Sequence, residues 1–210
     1  MELKEIEKYW DNNINKFQDI INKVEYQSKG IWYTEAFLFC SICDLLGVET
    51  IVESGIAKGC STDIFASYFD FDVISVDNNG YGWLKDTKNR LSHHKNLTII
   101  EGNSGEKIPK IISKQLQDKK VGVFIDGPKG RGARSLRDDL TKYSNILCFG
   151  FHDYKRSKLD IGTFPKQFVT YEMDIIKKYF YLNNKVIETS PGQGNRYKNT
   201  GPGVCVEVRI

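Results

Sequence analysis

Residues 50–77 read TIVESGIAKGCSTDIFASYFDFDVISVD. This stretch begins with TIVE and closes on VISVD, two short β-branched runs of the kind that form buried strands. Between them, Gly55 and Gly59 permit a tight turn into a helix at about 60–69, and they let a ligand approach the backbone without a Cβ in the way. A strand, turn, helix and strand in this order predict a parallel α/β sheet with a ligand site at the carboxyl end of its first strand.

The same alternation continues along the chain. The predicted strands cover about 50–53, 73–76, 97–100, 121–125 and 146–151, and the predicted intervening helices cover about 60–69, 83–92, 105–117 and 133–143. Short β-branched or aromatic strands that alternate with helices indicate a parallel sheet covered on both faces.

The two ends of the chain complete this prediction. An amphipathic helix runs from residue 1 to about 28, and a more apolar helix runs from Thr34 or Glu35 to Leu46. After a looser stretch at 155–170, a helix at about 170–181 and two strands near 184–188 and 203–209 are predicted, the strands being joined by a loop from Ser190 to Gly203. The expected fold class is α/β: a doubly wound, mostly parallel seven-stranded sheet with helices on both faces, an antiparallel C-terminal hairpin and N-terminal helices. We expect one domain over 1–210, with N-terminal helices at 1–47, a core at 48–155 and a C-terminal part at 156–210.

Composition limits the function classes. The 210 residues suit a single domain, and a hydrophobic fraction of 40% with a charged fraction of 27% is ordinary for a soluble globular protein. The net charge of +3 is too small to imply a polyanionic partner, so nucleic acid is not expected. No apolar run approaches the roughly 18–20 residues of a membrane span, and the charged N-terminus leads into no signal-peptide core. We therefore expect a cytoplasmic protein.

Five cysteines, an odd number, are scattered along the chain. Cys40 and Cys43 form a C-x-x-C inside an apolar helical stretch, and no second such pair or histidine pair completes a zinc site. Buried free thiols are the expected state, in preference to redox or metal chemistry.

Two acids near the glycine turn point to a nucleoside-containing ligand. Glu53, just before Gly55, could anchor an ammonium group, while Asp77, at the tip of the second strand, could accept both ribose hydroxyls. Ser61 and Thr62 are suited to cap the following helix, whose free amides favour an anion. A strand–helix connection that binds nothing is the alternative.

The pattern Glu53-x-Gly55-x-x-x-Gly59-x-Ser61-Thr62 resembles motif I of class I, Rossmann-like S-adenosylmethionine-dependent methyltransferases, notably the branches that methylate hydroxyls of small molecules and sugars. Asp77 matches their ribose-binding acid, and Gly102-Asn103-Ser104 matches a segment near the adenine, with Asn103 in place of the usual acid. The resemblance implies S-adenosylmethionine as cofactor. The cofactor-binding residues that it implies are Glu53, Ser54, Gly55, Gly59, Ser61, Thr62, Asp77, Asn78, Asn103, Ser104 and Asp126.

A second group of polar residues follows the fourth and fifth strands. Asp126 comes after VFI, and His152 and Asp153 come after FGF. Because the carboxyl ends of parallel strands share one edge, these residues should face the same pocket as Gly55 and Asp77. They suit either of two tasks, holding Mg²⁺ beside an acceptor hydroxyl or acting as a general base with His152 oriented by a carboxylate.

The segments Asp126-Gly-Pro-x-Gly and His152-Asp153-Tyr also resemble parts of plant polysaccharide O-methyltransferases and of metal-dependent macrolide-sugar O-methyltransferases. That resemblance implies a small-molecule or glycan acceptor beside the two acids. Asp126, His152 and Asp153 are therefore the predicted catalytic residues and the predicted ligands of a possible Mg²⁺. A turn at Asp126 and a structural histidine remain the alternatives.

Three further features have two interpretations each. Lys129, Arg131, Arg134 and Arg137 form either a solvated helix face or a site for an anionic acceptor. Residues 191–198 form either a lid or a plain connection between strands. Tyr81 and Trp83 either stack on adenine or pack in the core.

Three other functions stay open at this point. The chain could methylate nitrogen or RNA, although it lacks a basic stripe with interleaved aromatics. It could be a non-catalytic relative that binds a nucleoside or a protein partner. An NAD-dependent oxidoreductase is disfavoured because the middle glycine of the dinucleotide fingerprint is missing. The oligomeric state and the identity of the acceptor are not encoded in any motif.

Overall fold

The computed structural model describes residues 1–28, 30–153, 164–190 and 203–209. The strands are β1 (Thr50–Ser54), β2 (Val73–Asp77), β3 (Leu97–Glu101), β4 (Val121–Ile125), β5 (Ile146–Phe151), β6 (Lys166–Val169) and β7 (Cys205–Val208). The helices are α1 (Leu3–Lys23), α2 (Tyr33–Leu46), α3 (Cys60–Tyr68), α4 (Leu84–Arg90), α5 (Ser104–Gln115), α6 (Arg131–Leu140), α7 (Asp174–Lys178) and α8 (Asn184–Thr189).

All seven strands form one sheet in the order β3-β2-β1-β4-β5-β7-β6. The first five are parallel, and β7 runs antiparallel to both β5 and β6. Each residue of β1 and of β4 is buried, which fits the apolar sequence of β4, whereas β1 also buries the polar residues Thr50, Glu53 and Ser54. The predicted seven-stranded, mostly parallel sheet with antiparallel C-terminal strands is confirmed.

Separate hydrophobic clusters cover the two faces of the sheet. One contains the buried side chains of α1, α2 and α3, and the other contains those of α5 and α6. The order of strands reverses between β1 and β4, the position at which an open parallel sheet forms a crevice above its carboxyl edge.

The N-terminal helices are confirmed. α1 is amphipathic and buries Ile6, Trp10, Phe17 and Ile20, although it ends at Lys23 and not near residue 28. α2 is buried on every side down to Cys43 and ends at Gly47, whose φ of 66° is left-handed. In the described part of the chain, no helix combines the length and the apolar character that crossing a membrane requires.

The sixth strand lies elsewhere than predicted. Residues 166–169, in the stretch expected to be loose, form β6 at the sheet edge, whereas the predicted strand at 184–188 is part of α8. Asn183 fixes the start of α8, because its side chain accepts a hydrogen bond from the Thr34 backbone N at 3.1 Å and donates to Thr34 Oγ1 at 2.9 Å. Tertiary contacts of this kind override the β propensity of isolated valine and isoleucine residues.

The predicted helix at 170–181 is also wrong as a single element. It is divided into a 3₁₀ turn at Thr170–Glu172, the short helix α7 and a second 3₁₀ turn at Phe180–Asn183. Thr170 still pairs with Val204, the residue that precedes β7. The Thr170 backbone N donates to Val204 O at 3.0 Å, and Thr170 Oγ1 accepts from Val204 N at 3.0 Å. Thr170 therefore begins a short 3₁₀ turn beside the sheet and not a continuous α-helix.

The five cysteines are free and buried, as predicted. Cys43 of α2 and Cys148 of β5 face each other with their Sγ atoms 3.7 Å apart. They pack as small apolar side chains between helix and sheet.

Candidate cofactor and acceptor site

The turn between β1 and α3 is built on two glycines. Gly55 has a φ of 89°, and a Cβ there would lie 2.6 Å from the backbone N of Gly127. Gly59 has a φ of 73°, and its Cβ would lie 2.6 Å from the side chain of Thr87. No other residue fits either position without moving its neighbours.

Asp77 lies beside this turn. Its Oδ2 accepts hydrogen bonds from the backbone N of Ile56 at 2.7 Å and of Ala57 at 3.2 Å, and its Oδ1 accepts from Asn79 N at 2.6 Å. The tip of β2 is thereby tied to the loop that follows β1. The carboxylate is half-buried and faces the cavity described below.

Glu53 has different surroundings from those expected of a ligand anchor. It is fully buried and accepts hydrogen bonds from the hydroxyls of Ser61, of Thr62 at 2.6 Å and of Ser75 at 2.7 Å. Burial raises the pKa of Glu53 to about 7, although the three hydroxyls oppose the rise. The carboxylate holds the turn from behind and does not line the cavity, so its contact with a ligand ammonium stays a prediction.

Ser61 and Thr62 do not cap α3, which corrects the sequence-based expectation. The N-cap of α3 is Gly59, and it has no side-chain cap. Both hydroxyls turn toward the buried Glu53 carboxylate, which needs hydrogen-bond donors because it has no access to water. Ser54 likewise binds within the protein, where its hydroxyl donates to Gly127 O.

Polar and aromatic groups follow β2 and β3. Asn103 caps α5 by accepting from Gly105 N at 2.8 Å, and Asn78 accepts from Gly80 N at 3.0 Å. Tyr81 and Trp83 stack with ring centroids 4.8 Å apart at an interplanar angle of 17°. Tyr81 is 74% exposed, so the core-packing alternative is wrong for this residue.

The acceptor-side residues meet at the ends of β4 and β5. His152 Nδ1 lies 2.7 Å from Asp126 Oδ1 and 3.9 Å from Asp153 Oδ2. Lys129 contacts both acids, as its ammonium pairs with Asp126 and lies 2.8 Å from Asp153 Oδ2. Asp153 has a φ of 58°, a left-handed conformation that turns the chain at this point.

His152 lies between two carboxylates. Its Nε2 is buried, has no hydrogen-bond partner within the described ranges and lies 3.6 Å from Glu35 Oε2 of α2. Burial by itself would lower the pKa of His152, but Asp126 and Glu35 outweigh it and raise the pKa to about 10. Burial would raise the pKa of Asp126, yet His152 and Lys129 hold it well below its usual range.

Glu35 and Lys129 complete the surroundings of His152, Asp126 and Asp153, and no sequence motif indicates Glu35. Glu35 lies in a helix that is buried on every side and carries no motif that could have indicated a role. The residues of the basic cluster predicted from Lys129 to Arg137 do not share the same surroundings, and the interpretation that the cluster faces the pocket holds for Lys129. Lys129 faces the cavity, whereas the buried Arg137 pairs with Glu207 of β7 at 3.0 Å.

One cavity of about 500 Å³ connects the two groups of residues. Its lining residues are Gly55, Ala57, Asp77, Asn78, Tyr81, Trp83, Asn103, Ser104, Asp126, Gly127, Pro128, Lys129, His152 and Asp153. The predicted residues Gly59, Ser61 and Thr62 support the turn from outside this lining. Tyr154 and residues 191–198 lie outside the described residues, so both interpretations of this loop, a lid and a plain connection, stay open.

Comparisons with known proteins extend this description. No family model and no curated protein matches the sequence. Solved structures do match: a candidate caffeoyl-CoA O-methyltransferase from Staphylococcus aureus has a TM-score of 0.52 and 20% identity, with 97% of this chain and 99% of that chain covered. An O-methyltransferase from Bacillus cereus in complex with SAH has a TM-score of 0.53 and 12% identity, over 94% and 91% of the two chains.

A third match is TomG of Streptomyces achromogenes, an O-methyltransferase involved in tomaymycin synthesis whose structure holds SAM. Its TM-score is 0.53 at 9% identity, over 93% of this chain and 88% of that chain. The chain has the class I methyltransferase fold. Within this methyltransferase fold, the cavity lies over the carboxyl ends of β1, β2, β4 and β5, where the strand order reverses.

Proposed function

We propose that this chain transfers the methyl group of S-adenosylmethionine to a hydroxyl of a small-molecule acceptor. The observation that carries the proposal is that Asp77 and the glycine turn share one cavity with Asp126, His152 and Asp153. Three structures with the same fold are described as O-methyltransferases, and two of them hold SAM or SAH. Both facts support the proposal, although fold likeness alone assigns no activity.

The cofactor would occupy the half of the cavity above β1, β2 and β3. Asp77 presents a carboxylate for the ribose hydroxyls, and the turn from Gly55 to Gly59 leaves backbone space for the methionine part. The stacked pair Tyr81–Trp83 offers an aromatic face for adenine, next to Asn103.

The acceptor would lie above β4 and β5. Methyl transfer from a sulfonium is an in-line displacement, so alignment of the acceptor oxygen with the methyl carbon supplies much of the rate enhancement. The hydroxyl proton becomes acidic as the new O–C bond forms, and Asp153, the half-exposed carboxylate at the cavity rim, can receive it. Asp126 and His152 form a fixed ion pair beneath that position.

A bound Mg²⁺ is not favoured by this arrangement. The ligand atoms of Asp126, His152 and Asp153 do lie within 4.8 Å of one another, so these residues are close enough to share an ion. However, the Lys129 ammonium already bridges the two acids, and both imidazole nitrogens of His152 face carboxylates. A divalent cation needs free lone pairs on these groups. We therefore derive no step through a metal.

The acceptor itself is proposed only as a class. A cavity of about 500 Å³ has the dimensions of a small-molecule site and must also hold the cofactor, so it admits a compact group. A phenolic compound, a free sugar and one residue of a glycan all satisfy that limit. The free cysteines support a reducing, cytoplasmic compartment for the reaction.

Calorimetric titration with S-adenosylhomocysteine tests the proposal. We expect saturable binding to the wild-type chain and no binding of NAD. A collection of hydroxylated acceptors, supplied with methyl-labelled S-adenosylmethionine, then identifies the acceptor class. Absence of S-adenosylhomocysteine binding would refute the proposed function.

A further inference from the structure

Glu35, the third residue of α2, is a buried carboxylate with three partners, two of which come from distant parts of the chain. Its Oε1 accepts a hydrogen bond from Gly203 N at 2.7 Å, and its Oε2 accepts from Trp32 N at 3.2 Å. The same Oε2 lies 3.6 Å from His152 Nε2. A carboxyl group that is 0% exposed requires such partners, because burying a polar group without them is costly.

His152 depends on Glu35 from the other side. Its Nε2 is buried without a hydrogen bond, and Glu35 is the acid that the described ranges place within ion-pair distance of that atom. Its Nδ1 faces Asp126 at 2.7 Å and Asp153 at 3.9 Å. The ring therefore has a carboxylate at each nitrogen, and a flipped ring would break the closer contact to Asp126.

We propose that Glu35 is a positioning residue of the acceptor side, which fixes the imidazole of His152 and through it the carboxylate of Asp126. The N-terminal helix α2 thus takes part in the site, although no residue of α2 lines the cavity. Only the purpose that we assign to the orientation of His152 rests on the proposed function. The contact itself is independent of any cofactor.

A purely structural role for Glu35 is the competing explanation. Glu35 completes a capping box at the start of α2 with the backbone of Trp32. Glu5 completes the same kind of capping box at the start of α1, where it accepts from Glu2 N, but it is exposed, and among the described residues no hydrogen bond or ion pair joins it to a histidine. Glu5 is therefore a matched control for the loss of a capping carboxylate.

Imidazole NMR of the histidine-labelled protein tests the inference, because the chain has three histidines and two of them, His93 and His94, serve as internal references. In Glu35→Gln we expect the protonation equilibrium of His152 to shift at least about tenfold toward the neutral ring, as loss of an opposite charge at this distance implies. The signals of His93 and His94 should not change. In Glu5→Gln, all three should match wild type.

A second measurement covers the case in which Glu35→Gln does not fold. In the wild-type chain, the inference requires His152 to keep one ring orientation, with Nδ1 toward Asp126 and Nε2 toward Glu35. A flipping His152 in the wild type would overturn it, as would an unchanged His152 in a folded Glu35→Gln variant.

Titration with S-adenosylhomocysteine separates this inference from the proposed function. If the wild type binds it, Glu35→Gln should bind it within about threefold, because Glu35 does not line the cavity. If neither protein binds it, the proposed function fails while the NMR result still decides the role of Glu35. With an acceptor in hand, Glu35→Gln should lower kcat at least about tenfold and change the cofactor KM little, and Glu35→Asp should restore part of kcat.

Discussion

Asp77→Ala is the substitution that most directly tests the cofactor half of the cavity. In the structure, Asp77 accepts three backbone hydrogen bonds, from Ile56, Ala57 and Asn79. Hydrogen bonds to a charged group contribute roughly 1.5–3 kcal/mol each when buried, and Asp77 is half-buried, so we expect a loss of about 2–4 kcal/mol in the free energy of unfolding.

The effect on ligand affinity is calculated separately. Two ribose hydroxyls that donate to the same carboxylate would lose about 3 kcal/mol together, which corresponds to roughly a 100-fold rise in the Kd of S-adenosylhomocysteine. Calorimetric titration measures this Kd, and thermal unfolding measures the stability loss. Asp72→Ala is the matched control, because Asp72 is exposed and directly precedes β2 at the opposite end from Asp77.

The result that would refute the reasoning is specific. If Asp77→Ala folds and its Kd stays within about threefold of the wild-type value, then Asp77 does not bind the ribose and the cofactor lies elsewhere. If Asp72→Ala weakens binding as much as Asp77→Ala, the effect comes from the strand as a whole and not from its tip. Asp77→Asn adds a further check, because it keeps the size of the side chain and removes its charge.

Three further predictions address the other groups. Asp126→Ala and Asp153→Ala should leave the Kd of S-adenosylhomocysteine within about threefold of the wild-type value. They should reduce kcat at least about 100-fold, as loss of acid–base or positioning groups does. A large loss of cofactor affinity would show that the division of the cavity is wrong. The pKa of Glu53 is raised to about 7, so the folded state binds an extra proton between about pH 4.5 and 7, and the free energy of unfolding falls as the pH rises through this window. Thermal unfolding of Glu53→Gln should lack this fall, which amounts to on the order of 3 kcal/mol. An identical pH dependence in the variant would contradict the assignment. Millimolar Mg²⁺ or Mn²⁺ should change the melting temperature of the wild type by less than about 1 °C, because a cation that bound the native state appreciably would stabilise it. A clear rise in melting temperature that Asp126→Ala abolishes would instead establish a metal site.

Local sequence signals predicted the central part of the fold because each of its units is short and self-contained. The run from Thr50 to Asp77 contains its own strands, turn glycines and helix, so neighbouring residues determine most of its structure. β6 could not be identified in this way. Its residues 166–169 are only partly buried at a sheet edge and are held by pairing with β7, which comes much later in the chain.

The same contrast between local signals and contacts of distant segments applies to the candidate site. Asp77, Asp126 and Asp153 were found because each follows a strand, and the topology of a parallel sheet brings strand ends together. Glu35 was not found, because only the packing of α2 against β5 and β7 brings it to His152. The basic residues from Lys129 to Arg137 leave both a solvated face and a site for an anionic acceptor open, because a sequence of basic residues does not show that one of them turns back onto two acids.

The two halves of the cavity are held by different kinds of interaction, and this difference has a consequence for evolution and engineering. On the cofactor side, backbone amides bind Asp77, and Gly55 packs against the backbone of Gly127. Few side-chain substitutions at other positions can displace the Asp77 carboxylate or the Gly55 turn. On the acceptor side, Lys129 and Asp153 are half-exposed and meet through ion pairs, which water weakens and which a single substitution removes. Acceptor preference should therefore change with few mutations while cofactor binding persists.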